Sequence, residues 1–263
     1  GQATAAVLAD GVPAIVRDFP WPKSMRWGSG TARWVRPLQG IVALLDGELV
    51  ECEAAGVQAG YATAGHRSLH HGRIPIGGAD DYAVKLRAGH VIVDHEERAA
   101  IIRDSAATLA AGAGLAVVPD EGLVEENAGL TEWPVPLLGR FDPAFLAVPR
   151  EVIQLTMRVN QKYFALSDAA TGKLAPNFIC VANLAASDGG QAIVAGNERV
   201  LSARLSDAKF FWEQDLKAPL DSYLPKLVSM LFYEGMGSLR EKTDRVAALS
   251  AHICRAYFRE RDP

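Results

Sequence analysis

The chain contains few cysteines and no long apolar run. Its three cysteines are far apart and never in a C-x-x-C spacing: Cys52, Cys180 and Cys254. This usage is typical of reduced side chains in a cytosolic protein and argues against a disulfide scaffold. No apolar stretch reaches the roughly eighteen residues of a membrane span, and residues 1–20 lack the basic and apolar regions of a signal peptide. We therefore expect a cytoplasmic protein without membrane contact.

Signatures of a self-contained enzyme are also missing. The sequence has no G-x-x-x-x-G-K-[ST] phosphate loop, no dinucleotide fingerprint and no G-x-S-x-G elbow. The neighbouring acids Glu96 and Glu97, like Glu125 and Glu126, point in different directions on a helix and make a poor catalytic pair. We predict no catalytic residue, no bound cofactor and no metal site in this chain.

An excess of positive charge is absent as well. The net charge of −4 excludes a global attraction to nucleic acid, so any RNA contact must come from a local basic face. With 263 residues and 49% hydrophobic content, the chain can bury a sizeable core as one large domain or two small ones.

The pattern along the chain mixes strands and helices up to about residue 188 and is helical after it. Asp46-Gly47 predicts a tight hairpin turn, and a second hairpin is expected around residues 170–173. Residues 60–78 are predicted as a loop and residues 90–93 as a short strand. The fold class that follows is α+β: a mixed or antiparallel sheet with flanking helices, then a helical C-terminal segment.

Helix signals are clearest near the C-terminus. Leu201, Leu205, Ala208 and Trp212 recur at helical spacing and predict one buried stripe. Asp94-x-x-Glu97 and Ser238-x-x-Glu241 are capping-box patterns that predict two helix starts. Another buried stripe is expected along residues 239–257.

The segment of residues 21–37 is locally basic and aromatic. Four cations have no acid among them: Lys23, Arg26, Arg33 and Arg36. Three of the five tryptophans are interleaved: Trp21, Trp27 and Trp34. Such cations can contact phosphates while flat rings stack on bases. The alternative is that the tryptophans anchor a core and the cations form a solvated rim.

Two further segments carry candidate contacts. Residues 65–73 contain His66, Arg67 and His70, and the two histidines would suit a metal only on a helix, which the flanking glycines disfavour. This segment contacts RNA or a neighbouring domain, or is a plain surface loop. Residues 158–162, which include Lys162, present donors to a phosphate or base edge, or else cap a helix C-terminus.

Ten segments together resemble the beta subunit of the bacterial-type, two-subunit glycyl-tRNA synthetase. They are Pro22–Gly28, Val35–Pro37, Gly65–Arg67, Asp94–Arg98, Glu132–Pro134, Val148–Glu151, Gln161–Phe164, Leu174–Ile179, Gly196–Phe211 and Lys242–Arg245. They follow the family's order and cover nearly the whole chain. The family's chain is much longer, so the resemblance implies an internal fragment.

The resemblance implies a division of labour between two chains. The partner alpha subunit would carry the glycine site and use ATP and Mg²⁺, and the beta subunit would bind tRNA(Gly) within a heterotetramer. Residues 1–217 would be similar to the B3/B4 domain of the phenylalanyl-tRNA synthetase beta subunit. Residues 218–263 would begin an HD-like domain.

The expected contribution of this fragment is tRNA binding and subunit or domain assembly, without catalysis of its own. The residues assigned to tRNA contact are Lys23, Arg26, Arg36, His66, Arg67, Lys162 and Arg204. Two alternatives stay open. One is hydrolytic editing of mischarged tRNA, which needs a pocket with positioned polar groups. The other is a purely structural scaffold.

Overall fold

The computed structural model describes residues 1–258, which form two compact units, the second starting at Arg204. The helices are α1 Thr4–Asp18, α2 Ala79–Ala88, α3 His95–Gly112, α4 Glu121–Leu130, α5 Arg150–Leu155, α6 Gln191–Asp215 and α7 Leu239–Tyr257. The change from one unit to the other falls within α6. The predicted boundary between residues 217 and 218 lies just beyond the end of α6 and stays a prediction.

The strands are short, apart from those of one sheet. They are β1 Met25–Arg26, β2 Arg33–Trp34, β3 Ile41–Val42, β4 Leu44–Leu45, β5 Glu48–Leu49, β6 Glu53–Ala54, β7 Val57–Gly60, β8 Ala62–Ala64, β9 Arg73–Pro75, β10 Leu115–Val117, β11 Val135–Arg140, β12 Phe164–Asp168, β13 Leu174–Ala182, β14 Leu231–Tyr233 and β15 Gly237–Ser238. Two 3-10 stretches, Pro143–Ala147 and Leu220–Ser229, and a π-helical turn, Thr156–Gln161, complete the elements. The predicted α+β class is confirmed.

The core of the first unit lies under a four-stranded antiparallel sheet in the order β10-β12-β13-β11. Helix α3 packs there through Ala99, Ile102, Ala106 and Ala110, which are all buried. Their spacing of three and four residues places them on one face, and the small alanine side chains let the helix approach closely. This core holds the sheet and the two helices α3 and α4 as one body.

The remaining strands of the first unit form small separate sheets. β3 pairs in parallel with β7, while β4 and β5 form the hairpin predicted at Asp46-Gly47. β8 pairs with β9, so the prediction of a loop across residues 60–78 is wrong. Strands of three residues give too little alternation to be detected in a sequence.

The prediction of a strand at residues 90–93 is also wrong. His90 has a left-handed φ of 59°. The amides of the next two residues, Val91 and Ile92, donate to Leu86 and Glu132 instead of to a ladder. The segment therefore closes the C-terminus of α2. Helix α3 then begins at His95, and the carboxylate of its N-cap residue, Asp94, accepts from Glu96 N at 2.9 Å.

In the second unit, α7 begins at the predicted capping box. The Ser238 hydroxyl accepts from Glu241 N at 3.3 Å, and the Glu241 carboxylate accepts from Ser238 N at 2.6 Å. The predicted helical C-terminal segment is confirmed, but it is not helix alone, because β14 and β15 form a hairpin before α7. Its turn uses Gly235 and Gly237 at φ values of 78° and 85°, which glycine adopts without steric cost.

The predicted stripe on α6 is buried at Leu201 and Leu205 and half-buried at Ala208 and Trp212. On α7, by contrast, Val246, Leu249, Ile253 and Tyr257 are exposed. In the part of the chain that the structure describes, no helix is both long enough and apolar enough to cross a bilayer.

Candidate nucleic-acid interface

The basic segment of residues 21–37 folds into a two-stranded antiparallel hairpin, β1–β2. Its register sets Met25 opposite Trp34 and Arg26 opposite Arg33. Because successive side chains of a strand point to opposite faces, one face carries Met25 and Trp34 and the other carries both arginines. The hairpin therefore separates an aromatic face from a cationic face.

The aromatic face is packed. The Trp34 ring lies 4.9 Å from that of Trp21 and 5.4 Å from that of Phe19, edge to face in both cases. Phe19 and Trp21 are 4.5 Å apart. These distances fit the preferred contacts between aromatic rings. Trp21 and Trp34 thus anchor the hairpin, as the core alternative proposed.

The cationic face is open to solvent. Arg26, Arg33 and Arg36 are exposed, and within the described residues none of them forms an ion pair. Arg33 donates from Nε to the Ser24 hydroxyl at 3.1 Å, and Arg36 donates from Nη1 to the Val35 backbone oxygen at 2.8 Å. Like charges directly opposite each other on two strands are destabilising. An anion held between Arg26 and Arg33 would remove that repulsion.

His66 lies inside the first unit and not on its surface. The side chain is 2% exposed, and Nε2 donates to the Asn183 backbone oxygen at 2.5 Å. Nδ1 accepts from the amides of Ser68 and Leu69, both at 3.2 Å. Because both ring nitrogens are used, His66 connects the β8–β9 loop to the end of β13. The next residue, Arg67, is exposed.

Lys162 closes a helix end. It has a left-handed φ of 60°, its ammonium lies 2.7 Å from the Glu126 carboxylate, and its backbone oxygen accepts from the Asn127 amide. Arg158 donates from Nε to Asp120 at 2.5 Å and holds the pKa of that carboxyl below its usual range. The cations of this segment therefore already have acidic partners, which favours the capping interpretation.

The residue after Lys162 is a buried anchor. The Tyr163 ring stacks on Phe178 with centroids 4.7 Å apart, and its hydroxyl donates to the Asn197 side chain. Burial raises the pKa of Tyr163 to about 12, so this hydroxyl stays neutral and does not serve as a base near pH 7. Its contacts fix the start of α6 against the sheet.

Arg204 belongs to the second unit, where it is exposed on α6. Phe210 and Phe211, further along the same helix, are exposed with their rings 5.5 Å apart.

Sequence reasoning left Arg33 out of the predicted contact set, although it noted Arg33 in the basic segment. The available signal was the spacing of six residues around Gly28 and Gly30, which suits a hairpin loop. Gly28 does turn the chain there with a φ of 57°. Once a hairpin is assumed, Arg26 and Arg33 become cross-strand neighbours.

Comparison with known proteins places the chain among the subunits of aminoacyl-tRNA synthetases. The sequence model of the family described as "Glycyl-tRNA synthetase beta subunit" matches residues 1–262, and the chain belongs to this family.

Similar proteins include the "Glycine--tRNA ligase beta subunit" of Paracoccus denitrificans, 47% identical over 260 residues that cover 96% of this chain and 38% of that protein. The proteins of the same name from Rhodospirillum centenum and Phenylobacterium zucineum are 45% and 47% identical, over 97% and 96% of this chain and 39% and 38% of their own length. The chain thus spans little more than a third of the relatives that it matches.

Proposed function

We propose that this chain is the tRNA-engaging part of a glycine–tRNA ligase beta subunit and takes no part in adenylation. The observation that carries the proposal is the exposed face of the β1–β2 hairpin, where Arg26 lies opposite Arg33 without an acidic partner among the described residues. Phosphates of a nucleic acid are suitable counter-ions for such a pair. The family membership makes tRNA the appropriate nucleic acid.

The wider assignment is what the family resemblance implies, and we propose it for the assembled enzyme. In it, tRNA(Gly) is charged with glycine in an ATP-dependent reaction in the cytoplasm. An alpha subunit binds ATP, Mg²⁺ and glycine, and the assembled enzyme is a heterotetramer. We assign residues 1–217 to a domain similar to the B3/B4 domain and residues 218–263 to the start of an HD-like domain.

The residues that we assign to tRNA contact differ from the predicted set at three positions. Exposure supports Lys23, Arg26, Arg36, Arg67 and Arg204. We add Arg33 because it faces Arg26 across the hairpin. Lys162 is half-buried and paired with Glu126, so its contribution would be small. His66 is buried and acts by holding the loop that presents Arg67.

Binding of transcribed tRNA(Gly) to charge-reversed variants tests the proposal. Arg26→Glu and Arg67→Glu should each weaken binding several-fold, since each removes a phosphate contact and adds a repulsion. Arg103→Glu is a matched control, because Arg103 is exposed in the same unit but already paired with Glu121. Equal affinity of all three variants and the wild type would contradict the assignment of these residues.

An assembly role is tested separately from RNA binding. If the chain only holds the alpha subunit and further beta domains together, its deletion from the full-length subunit abolishes alpha-subunit binding while tRNA affinity stays intact. A tRNA affinity that falls on deletion supports the proposal instead. Release of amino acid from mischarged tRNA by the chain would favour the editing alternative.

A further inference from the structure

The first unit contains an open cavity of about 560 Å³ between the β8–β9 hairpin and the start of α2. Its apolar lining comes from Val42, Leu44 and Ile76, and its polar groups include Arg73 and Tyr82. Small-molecule and cofactor sites typically have volumes of ~300–1,000 Å³ and combine an apolar wall with a few polar groups. The cavity therefore has the size and the lining of a binding site for a single flat group.

Arg73 sets the sign of charge that the cavity attracts. Among the described residues that line the cavity, Arg73 is the one with a charged side chain. One of its N–H groups donates to the Ala62 backbone oxygen, and the other donors have no acceptor in the described residues. Two acids lie at the start of α2: Asp80 is exposed, and Asp81 accepts from the amides of Gly77 and Gly78 and is paired with Lys85 at 2.5 Å. Asp81 is thus neutralised, and Arg73 favours an anionic ligand.

Tyr82 supplies a flat surface in the same cavity. Its side chain is partly exposed at the cavity wall, and its hydroxyl has no hydrogen-bond partner among the described residues. Unpaired bases of RNA are commonly bound by stacking on aromatic rings, with arginine near the phosphate. A ring and a guanidinium that line the same cavity match the two chemical parts of a nucleotide.

Short stretches of chain connect the cavity to the basic surface, by which we mean the exposed cations of the first unit that we assign to tRNA contact. Arg36 is three residues before Gln39, a lining residue, so their Cα atoms are at most about 11 Å apart. Arg67 lies in the loop that joins β8 to β9, and both of these strands line the cavity. A strand whose phosphates contact Arg36 or Arg67 therefore passes close to the cavity.

We infer that this cavity binds the base of one unpaired nucleotide of the RNA strand that contacts the basic surface. The base stacks on Tyr82, and Arg73 contacts the adjoining phosphate. The inference rests on the proposed function and adds to it a specific site for a single-stranded nucleotide.

The test compares RNA probes with and without unpaired ends. Fluorescence anisotropy with the 263-residue chain measures affinity for a blunt-ended RNA hairpin and for the same hairpin with two unpaired nucleotides at the 3′ end or at the 5′ end. We expect one of the extended probes to bind at least about fivefold more tightly. Tyr82→Leu should abolish this advantage, Tyr82→Phe should keep it and Arg73→Gln should reduce it.

Two matched variants are the controls. Tyr61 is an exposed tyrosine outside the cavity lining, and Arg103 is an exposed arginine paired with Glu121. Tyr61→Leu and Arg103→Gln should keep the full advantage of the extended probe. Circular dichroism spectra of all variants should match that of the wild type.

The outcomes distinguish a failure of the cavity inference from a failure of the proposed function. If blunt and extended hairpins bind equally well and binding still depends on Arg26, the cavity inference is overturned while the proposed function stands. If neither probe binds, both are overturned. Adenosine monophosphate and the unlabelled extended RNA are compared as competitors of the labelled extended probe. If both displace the probe at similar concentrations, the cavity is a mononucleotide site and the inference is wrong.

Discussion

The His66 imidazole joins two parts of the chain that are 117 residues apart, because its Nε2 donates to the Asn183 backbone oxygen at 2.5 Å. The amides of Ser68 and Leu69 donate to Nδ1. These two donors require Nδ1 to be the acceptor, so the proton lies on Nε2. The Asn183 side chain extends the connection, since its oxygen accepts from Trp133 N at 2.9 Å.

Replacing His66 should therefore destabilise the first unit. We expect His66→Ala to lower the free energy of unfolding by about 1–3 kcal/mol, because it leaves a partly buried carbonyl oxygen and two amides without these partners. Urea unfolding followed by circular dichroism measures this. His71, in the same loop, is exposed, and His71→Ala should leave stability unchanged. Similar urea midpoints for the two variants would show that the His66 contacts do not stabilise the first unit.

Gly139 is predicted to be a position where no side chain is tolerated. A Cβ atom there would overlap the ring of Phe178, which is buried and stacked on Tyr163. Gly139→Ala should lower the free energy of unfolding by about 1–3 kcal/mol through overpacking. Gly129→Ala, in α4 with open space at its Cβ, should instead raise stability by about 0.5–1 kcal/mol. Unfolding midpoints that shift in the same direction would contradict this packing.

The Asp120–Arg158 pair should give a measurable dependence on pH. Arg158 and the Leu123 amide lower the pKa of Asp120. The stabilisation is therefore complete above the unfolded value of ~3.9 and is lost as the pH falls through the lower, folded value. Since both side chains are partly exposed, Asp120→Asn should cost less than about 1 kcal/mol at pH 7.

Urea unfolding of the wild type and Asp120→Asn across the acid range checks this dependence. The difference between their free energies of unfolding should be constant from about pH 5 to about pH 8 and should narrow below about pH 4. A difference that widens on acidification would mean that the pKa of Asp120 is raised and not lowered.

The sequence predicted those elements that depend on contacts between residues close together in the chain, such as tight turns and helix caps. Asp46 and Gly47 adopt φ values of 54° and 87°, as a two-residue hairpin turn requires, and Ser238 with Glu241 caps α7 through contacts between neighbours. By contrast, Ile41 and Val42 pair with residues 59 and 60 in parallel. Their partner strand, β7, lies outside the apolar run of residues 41–45, so periodicity within that run could not identify the pairing.

The candidate site shows the same division. The absence of acids around Arg26 is visible in the sequence, but its position opposite Arg33 depends on the register of a two-residue ladder. His66 and Lys162 are predicted to contact tRNA because they lie in segments that resemble family motifs. The burial of His66 depends on contact with Asn183, which follows β13 and is 117 residues further along the chain. The pairing of Lys162 with Glu126 arises only when α4 packs beside the π-helical turn.

The salt dependence of tRNA binding shows whether the β1–β2 hairpin contacts phosphates. Each phosphate contact contributes about −0.7 to −0.9 to the slope of log K against log salt concentration. Arg26→Gln combined with Arg33→Gln should make the slope for tRNA(Gly) less steep by about 1 to 2, whereas Arg103→Gln should leave it unchanged. A double variant with the wild-type slope and affinity would contradict the assignment of the β1–β2 hairpin to phosphate contact.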